Sequence, residues 1–232
     1  MKNNFKNSIC VIGLGYVGIQ VAIHFAKKHK VIGFDINNER ITNLKKGIDK
    51  NRDLSNDQQK LIEYVFLYTS NKKDITNMDY YIVAVPTPIN KKNQPDLRPL
   101  VSACKIIGKS IKKKSIVIFE STVFPGCTED ICTPIIEKYS KMIVNKDFFI
   151  CYSPERINPG DKGKTFTKIE KLVSSNNSSA LTKTYHLYQN IISSKVTKSK
   201  SIKVAETAKC FENIQRDINI ALINELSVIC QK

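Results

Sequence analysis

Short runs of Ile, Val, Phe and Tyr alternate along the chain with longer stretches whose apolar positions recur every three or four residues. A short unbroken apolar run suits a strand covered on both faces, and the amphipathic stretches between suit the helices that cover it. The alternation therefore predicts an α/β fold, a doubly wound parallel sheet. Strands are expected at residues 10–12, 31–34, 80–85, 116–119, 148–151 and 171–173, and helices at 17–28, 38–46, 100–111, 128–139 and 180–191. Asn-, Ser- and Lys-rich stretches at 174–179 and 193–201 read as surface turns. Beyond the second, residues 205–230 carry one long helical pattern in which Ala208, Phe211, Ile214, Ile218, Leu222 and Leu226 share a face. No Gly or Pro stop follows, so the expectation is a helix cut short, with a frayed terminal helix as the plainer reading. The expected organisation is one domain over residues 1–200 followed by the beginning of a long helix over 201–232, with no repeat and no low-complexity linker.

Length and composition narrow the class. The chain has 232 residues, 41% hydrophobic and 25% charged, ordinary globular usage. No stretch approaches the ~20 apolar residues of a membrane span, and the apolar run near the N-terminus is too short for a signal peptide. A cytoplasmic protein without membrane association is expected. Seven scattered cysteines, with no Cys-x-x-Cys pair and no Cys/His cluster at metal spacing, point to reduced thiols and no metal. The formal charge of +16 comes mostly from Lys in short separated runs such as Lys112-Lys113-Lys114, without interleaved stacking aromatics. These read as solvated faces with a non-specific preference for anions, and no nucleic acid partner is expected.

Chemistry enters at the strand ends. Gly13-Leu14-Gly15-Tyr16-Val17-Gly18 follows a predicted strand and opens a helix. The first glycine allows the tight turn, the second lets the backbone approach a pyrophosphate, and the third allows close helix–strand packing. Asp35 closes the next strand, twenty positions after Gly15, where a carboxylate accepts from a ribose hydroxyl and repels a 2′-phosphate. NAD is favoured over NADP, although Arg40 nearby could accommodate a 2′-phosphate. Thr87, in Val85-Pro86-Thr87-Pro88, and Thr122, in Glu120-Ser121-Thr122, fall at two further strand ends. They are either donors facing the cofactor or parts of a rigid turn and a helix cap. Glu155 and Arg156 stand together in Tyr152-Ser153-Pro154-Glu155-Arg156-Ile157-Asn158-Pro159-Gly160-Asp161, suited to handling a proton and a diphosphate or to forming a surface ion pair. Lys209 and Asn213 lie one helical turn apart, and together could stabilise an oxyanion or belong to a solvated helix face.

Taken in order, these segments resemble the UDP-glucose/GDP-mannose dehydrogenase family. The resemblance runs from Ile9 to the last residue through the Gly-x-Gly-Tyr-Val-Gly loop, the Thr-Pro turn, the Ser-Thr strand end, the Pro-Glu loop and the Lys-x-x-x-Asn helix. The Ser153–Asp161 wording is most similar to the branch that oxidises UDP-N-acetylhexosamines (UDP-GlcNAc, UDP-GalNAc or UDP-ManNAc) for bacterial surface polysaccharides. The resemblance implies a Rossmann-type NAD-binding domain, the start of a long interdomain helix used in homodimerisation, and a further domain for the nucleotide sugar. It implies two oxidations of the sugar C6, from alcohol to acid. By the same resemblance Gly13, Gly15, Tyr16, Val17 and Gly18 would hold the pyrophosphate, and Asp35 and Arg40 the adenosine ribose side. Thr87 and Thr122 would line the nicotinamide. Glu155, beside Arg156 at the substrate, would orient or deprotonate water, and Lys209 with Asn213 would stabilise oxyanions at C6.

Three departures matter, one being that the nucleotide-sugar domain implied by the resemblance is expected to be absent from this chain. The family's nucleophile is a cysteine in a Gly-Gly-x-Cys context, and none of Cys10, Cys104, Cys127, Cys132, Cys151, Cys210 or Cys230 stands in one, so the chain alone is expected to be incomplete and inactive. UDP-glucose members carry a second glutamate four positions after the first, where this chain has Pro159. Two other classes stay open: a non-catalytic truncated remnant that binds NAD at most, and a single-step hydroxyacid or 6-phosphogluconate-type dehydrogenase, against which the Pro-Glu-Arg-Ile loop speaks.

Overall fold

The structure is a computed structural model that describes residues 7–51, 53–156 and 166–231. Its strands are β1 (Ser8–Ile12), β2 (Lys30–Phe34), β3 (Leu67–Thr69), β4 (Tyr80–Val83), β5 (Ile116–Phe119), β6 (Phe149–Tyr152), β7 (Lys171–Ser175) and β8 (Val196–Lys198). They form one sheet in the order β3-β2-β1-β4-β5-β6-β7-β8. The helices are α1 (Tyr16–Ala26), α2 (Asn38–Lys45), α3 (Asn56–Gln59), α4 (Arg98–Ser110), α5 (Thr133–Ser140), α6 (Ser178–Gln189) and α7 (Ile202–Cys230).

Alternate residues of each strand feed two cores, because successive side chains point to opposite faces. On one face Ile9, Val11, Ile82 and Ile118 pack with Ile19, Ile23 and Phe25 of α1 and with Leu187 and Tyr188 of α6. On the other, Cys10, Ile12, Val83, Val117 and Phe119 pack with Leu100, Cys104 and Ile107 of α4, Ile136 of α5, and Ile202 and Ala205 of α7. Covering both faces explains why the central strands read as unbroken apolar runs. The sheet order reverses between β1 and β4, leaving a crevice beyond the carboxyl ends of those strands.

Four details depart from the sequence expectation. β7 runs antiparallel to β6, with Cys151 opposite Ser175 and Tyr152 opposite Ser174, so the sheet is mostly rather than wholly parallel. Ser174 and Ser175 are buried in β7 instead of forming a surface turn, their hydroxyls donating to Tyr152 O at 2.9 Å and Ile150 O at 2.7 Å. β3 and β8 are three-residue edge strands, and β8 lies inside the stretch expected to be a turn. The helix expected at 128–139 begins as a π-helical turn, Cys127–Cys132, before it becomes α5.

The long helix is present as α7, opened by Ser201, whose hydroxyl accepts from Val204 N at 3.2 Å. Only its first turns touch the sheet. Ile202, Ala205, Glu206 and Lys209 are buried, whereas Phe211, Ile214, Ile218, Leu222 and Leu226 are exposed.

Candidate functional site

A crevice of about 450 Å³ opens where the sheet order reverses, lined by the Gly13–Gly15 turn, Asp35 to Asn37, Arg40, Val85 and Pro86, with Pro99, Ser102 and Ala103 of α4 on its far wall. Gly13 has φ +89°, and a side chain there would also meet the Ala84 carbonyl oxygen at 2.9 Å. Gly18 has no room at all: a Cβ would stand 1.7 Å from the Gly13 carbonyl oxygen, so α1 rests directly on the turn. Around Gly15 nothing lies within 4 Å of a built Cβ. That space faces the N-terminus of α1, whose first turn has no acidic residue and no side-chain cap, a helix end whose dipole suits an anion. The glycine turn and the helix end thus fit the pyrophosphate of a dinucleotide.

Asp35 fastens the turn from the side. Its Oδ2 accepts from Leu14 N at 2.7 Å and its Oδ1 from Asn37 N at 2.8 Å, which holds the carboxylate at the crevice wall with lone pairs to spare. Arg40 reaches the same wall, but its guanidinium is engaged elsewhere. Nε donates to Leu14 O at 2.9 Å, one terminal nitrogen pairs with the buried Asp49, and the other lies 3.5 Å from Asp53. A charge held this way props the turn from behind, and reaching a 2′-phosphate would mean breaking a buried ion pair, which is costly.

Further along the carboxyl edge the β4 and β5 turns are stitched together. Thr87 Oγ1 donates to Thr122 O at 2.7 Å, and Ser121 Oγ to Val85 O at 2.7 Å. Thr87 and Thr122 stand beside the crevice rather than in its lining, and the Thr87 proton is committed to the stitch.

A charged cluster follows at the ends of β5 to β7. Lys171 Nζ lies 2.7 Å from Glu120 Oε2 and 3.2 Å from Glu155 Oε2, all three side chains buried. Glu155 Oε1 accepts from Arg156 N at 2.6 Å. Among the described residues no ion pair joins the Glu155 and Arg156 side chains, which turn to Lys171 and Glu212. Arg156 Nε reaches Glu212 of α7 at 3.1 Å, and Lys209 Nζ lies 4.0 Å from the same carboxylate. Burial, the largest influence, lowers the pKa of Lys209, with Glu212 opposing it. Asn213 is half-buried on the next turn. The fold thus brings the Pro-Glu loop and the Lys-x-x-x-Asn helix together, although they are 54 residues apart (209 minus 155). Residues Ile157 to Asp161 of the loop lie outside the described residues.

What fixes α7 here is Glu206, to which the sequence reading assigned no role. Its carboxylate accepts from Gly126 N at 2.6 Å and Thr128 N at 3.0 Å, clamping the helix onto the turn after β5. Lys171 and Glu120 were missed as well. Their signal was a charged residue at the start of one apolar strand and just past the end of another, places where a lone charge must find a buried partner.

Fold and crevice together define a dinucleotide-binding domain of the dehydrogenase type. Residues 7–192 match the NAD binding domain of the UDP-glucose/GDP-mannose dehydrogenase family, and residues 203–232 match that family's central domain. The chain belongs to this family, and its cofactor is NAD. It is 51% identical to "Protein CapL" of Staphylococcus aureus over 98% of this chain and 53% of that protein. It is 50% identical to the UDP-N-acetyl-D-glucosamine 6-dehydrogenase of Pseudomonas aeruginosa over 95% of this chain and 52% of that protein. Among solved structures, the UDP-D-ManNAc dehydrogenase of Pyrococcus horikoshii superposes with a TM-score of 0.87 at 28% identity, covering 96% of this chain and 53% of that one. The chain spans about half the length of the curated relatives it matches. No helix among the described residues is long and apolar enough to cross a membrane.

Proposed function

We propose that this chain is the cofactor-binding part of an NAD-dependent UDP-N-acetylhexosamine 6-dehydrogenase, which oxidises C6 of the sugar to the uronic acid for bacterial surface polysaccharide. The observation that carries the reading is spatial. The glycine turn with Asp35, and the cluster of Glu155, Arg156 and Lys209, occupy the same carboxyl edge of one sheet, the first suited to a dinucleotide and the second to an anionic substrate and a moving proton. Near 50% identity to a UDP-N-acetyl-D-glucosamine 6-dehydrogenase favours a UDP-N-acetylhexosamine over UDP-glucose. In this reading residues 1–200 are the NAD domain and 201–232 open the central helix.

Bound NAD supplies the hydride acceptor. Gly13, Gly15, Tyr16, Val17 and Gly18 hold its pyrophosphate, Asp35 accepts from the adenosine ribose, and Thr87 and Thr122 border the nicotinamide end. Lys209 and Asn213 stabilise negative charge developing on the C6 oxygen, and Glu155 orients a water or takes its proton. Five of the seven cysteines are buried and none lines the crevice. The chain covers about half of its curated relatives, and in this reading the thiolate needed for the second oxidation is left to the half not matched here.

The test is calorimetric titration of the chain with NAD and with NADP, alongside Asp35→Ala. Binding of NAD in preference to NADP, weakened about tenfold or more in the variant through loss of charge-assisted hydrogen bonds, is expected. Absence of binding to either dinucleotide would overturn the reading.

A further inference from the structure

Two carboxylates and one ammonium meet beneath the carboxyl edge of the sheet, sealed from solvent: Glu120 after β5, Glu155 after β6, and Lys171 between them on β7. The two carboxylates share this one buried ammonium, which lies within hydrogen-bond distance of both. The two carboxylates differ in what they face. Glu155 faces Lys171, the Arg156 N–H and, more distantly, the charge of Lys209 on α7. Glu120 lies deeper, facing Lys171 on β7, the Tyr188 hydroxyl of α6, which donates to its Oε1, and the Glu155 charge. Burial, the largest influence, prevails over the pull of Lys171 and, aided by Glu155, raises Glu120 to about 7. Lys171 also loses by burial, but the two carboxylates more than restore its charge and raise its pKa.

We propose that Glu120, Lys171 and Glu155 form a proton store behind the site, in which Glu120 is the member that holds the proton. The proposal rests on the reading above that Glu155 handles a proton. When a proton arrives on Glu155 Oε2, Lys171 gives one of its own to Glu120 Oε2 and takes the one from Glu155. The ammonium is regenerated, Glu155 returns to a carboxylate, and only O–H and N–H bonds have changed. Lys171 and Glu120 are positioning residues, acting on the substrate only through Glu155.

The test follows the carboxylic-acid C=O band of the chain by infrared spectroscopy across neutral pH. A band titrating near 7 is expected in the parent and absent from Glu120→Gln. Lys171→Met removes the compensating charge and moves the midpoint up, whereas Glu155→Gln removes the repelling charge and moves it down, each by about one pH unit or more. Lys171→Arg keeps the charge and restores the parent midpoint. A band that persists in Glu120→Gln, or a midpoint unmoved in Glu155→Gln, overturns the store. If Lys171→Met does not fold, Glu155→Gln, nearly equal in size to the parent residue, decides alone. NAD calorimetry on the same samples separates the two ideas: binding with an unmoved midpoint sinks the store alone, and opposite shifts without binding sink the dehydrogenase reading alone.

Discussion

Gly15 and Gly18 stand three positions apart in one turn and make opposite demands. At Gly18 a methyl group would collide with the Gly13 carbonyl, which is backbone and cannot swing away. Gly18→Ala should lose NAD binding and destabilise the fold by roughly 3 kcal/mol or more, since overpacking here forces α1 off the turn. At Gly15 the methyl group meets nothing in the protein. Gly15→Ala should therefore melt within a few degrees of the parent yet bind NAD at least about tenfold more weakly, because it occupies the space through which the pyrophosphate approaches the backbone. Melting curves and calorimetry on the two variants check the pair, and equal losses of stability would refute it. Glu120 carries a pH signature. Its folded pKa is raised from the ordinary 4.5 to about 7, so the stability it contributes is full below 4.5 and is lost as pH rises through 7. The melting-temperature difference between Glu120→Gln and the parent should change across that window in favour of the variant and be flat on either side of it.

At the scale of elements, the decisive contact is α7 against the turn after β5. Glu206 satisfies two backbone N–H groups that would otherwise be buried without partners. Glu206→Ala should cost about 2–4 kcal/mol and release the Gly126 and Thr128 amides to hydrogen exchange, while amides of β1 and β4 stay protected. With the clamp gone, Lys209 and Asn213 lose their fixed distance from Glu155. The long helix and the central strands were legible in the sequence because each has a strong pattern of its own. β3 and β8 were not, since three residues give too short a pattern to read, and the antiparallel β7 was not, since a strand's direction leaves no mark on its apolar spacing.

For the molecule as a whole, α7 is the unusual feature. From Phe211 to Ile229 it leaves the sheet and exposes an apolar stripe, Phe211 66% and Ile218 60% accessible, of a kind that soluble monomers rarely leave bare. We expect these stripes to pair between copies of the chain. Sedimentation should show a concentration-dependent rise in mass, and Leu222→Glu, exposed and remote from the crevice, should abolish it without altering NAD affinity. A parent that stays monomeric at high concentration would remove the idea. The sequence by itself determined the layered α/β fold, the glycine turn, the place of Asp35 at the end of the next strand and the helical register of Lys209 and Asn213, because each is written in local spacing. Tertiary structure alone decided that Arg40 turns toward Asp49 and Asp53, that Glu155 and Arg156 part company to find Lys171 and Glu212, and that Glu206 clamps the long helix. Those outcomes depend on which charges become buried together, and burial is set by the packing of strands far apart in the chain.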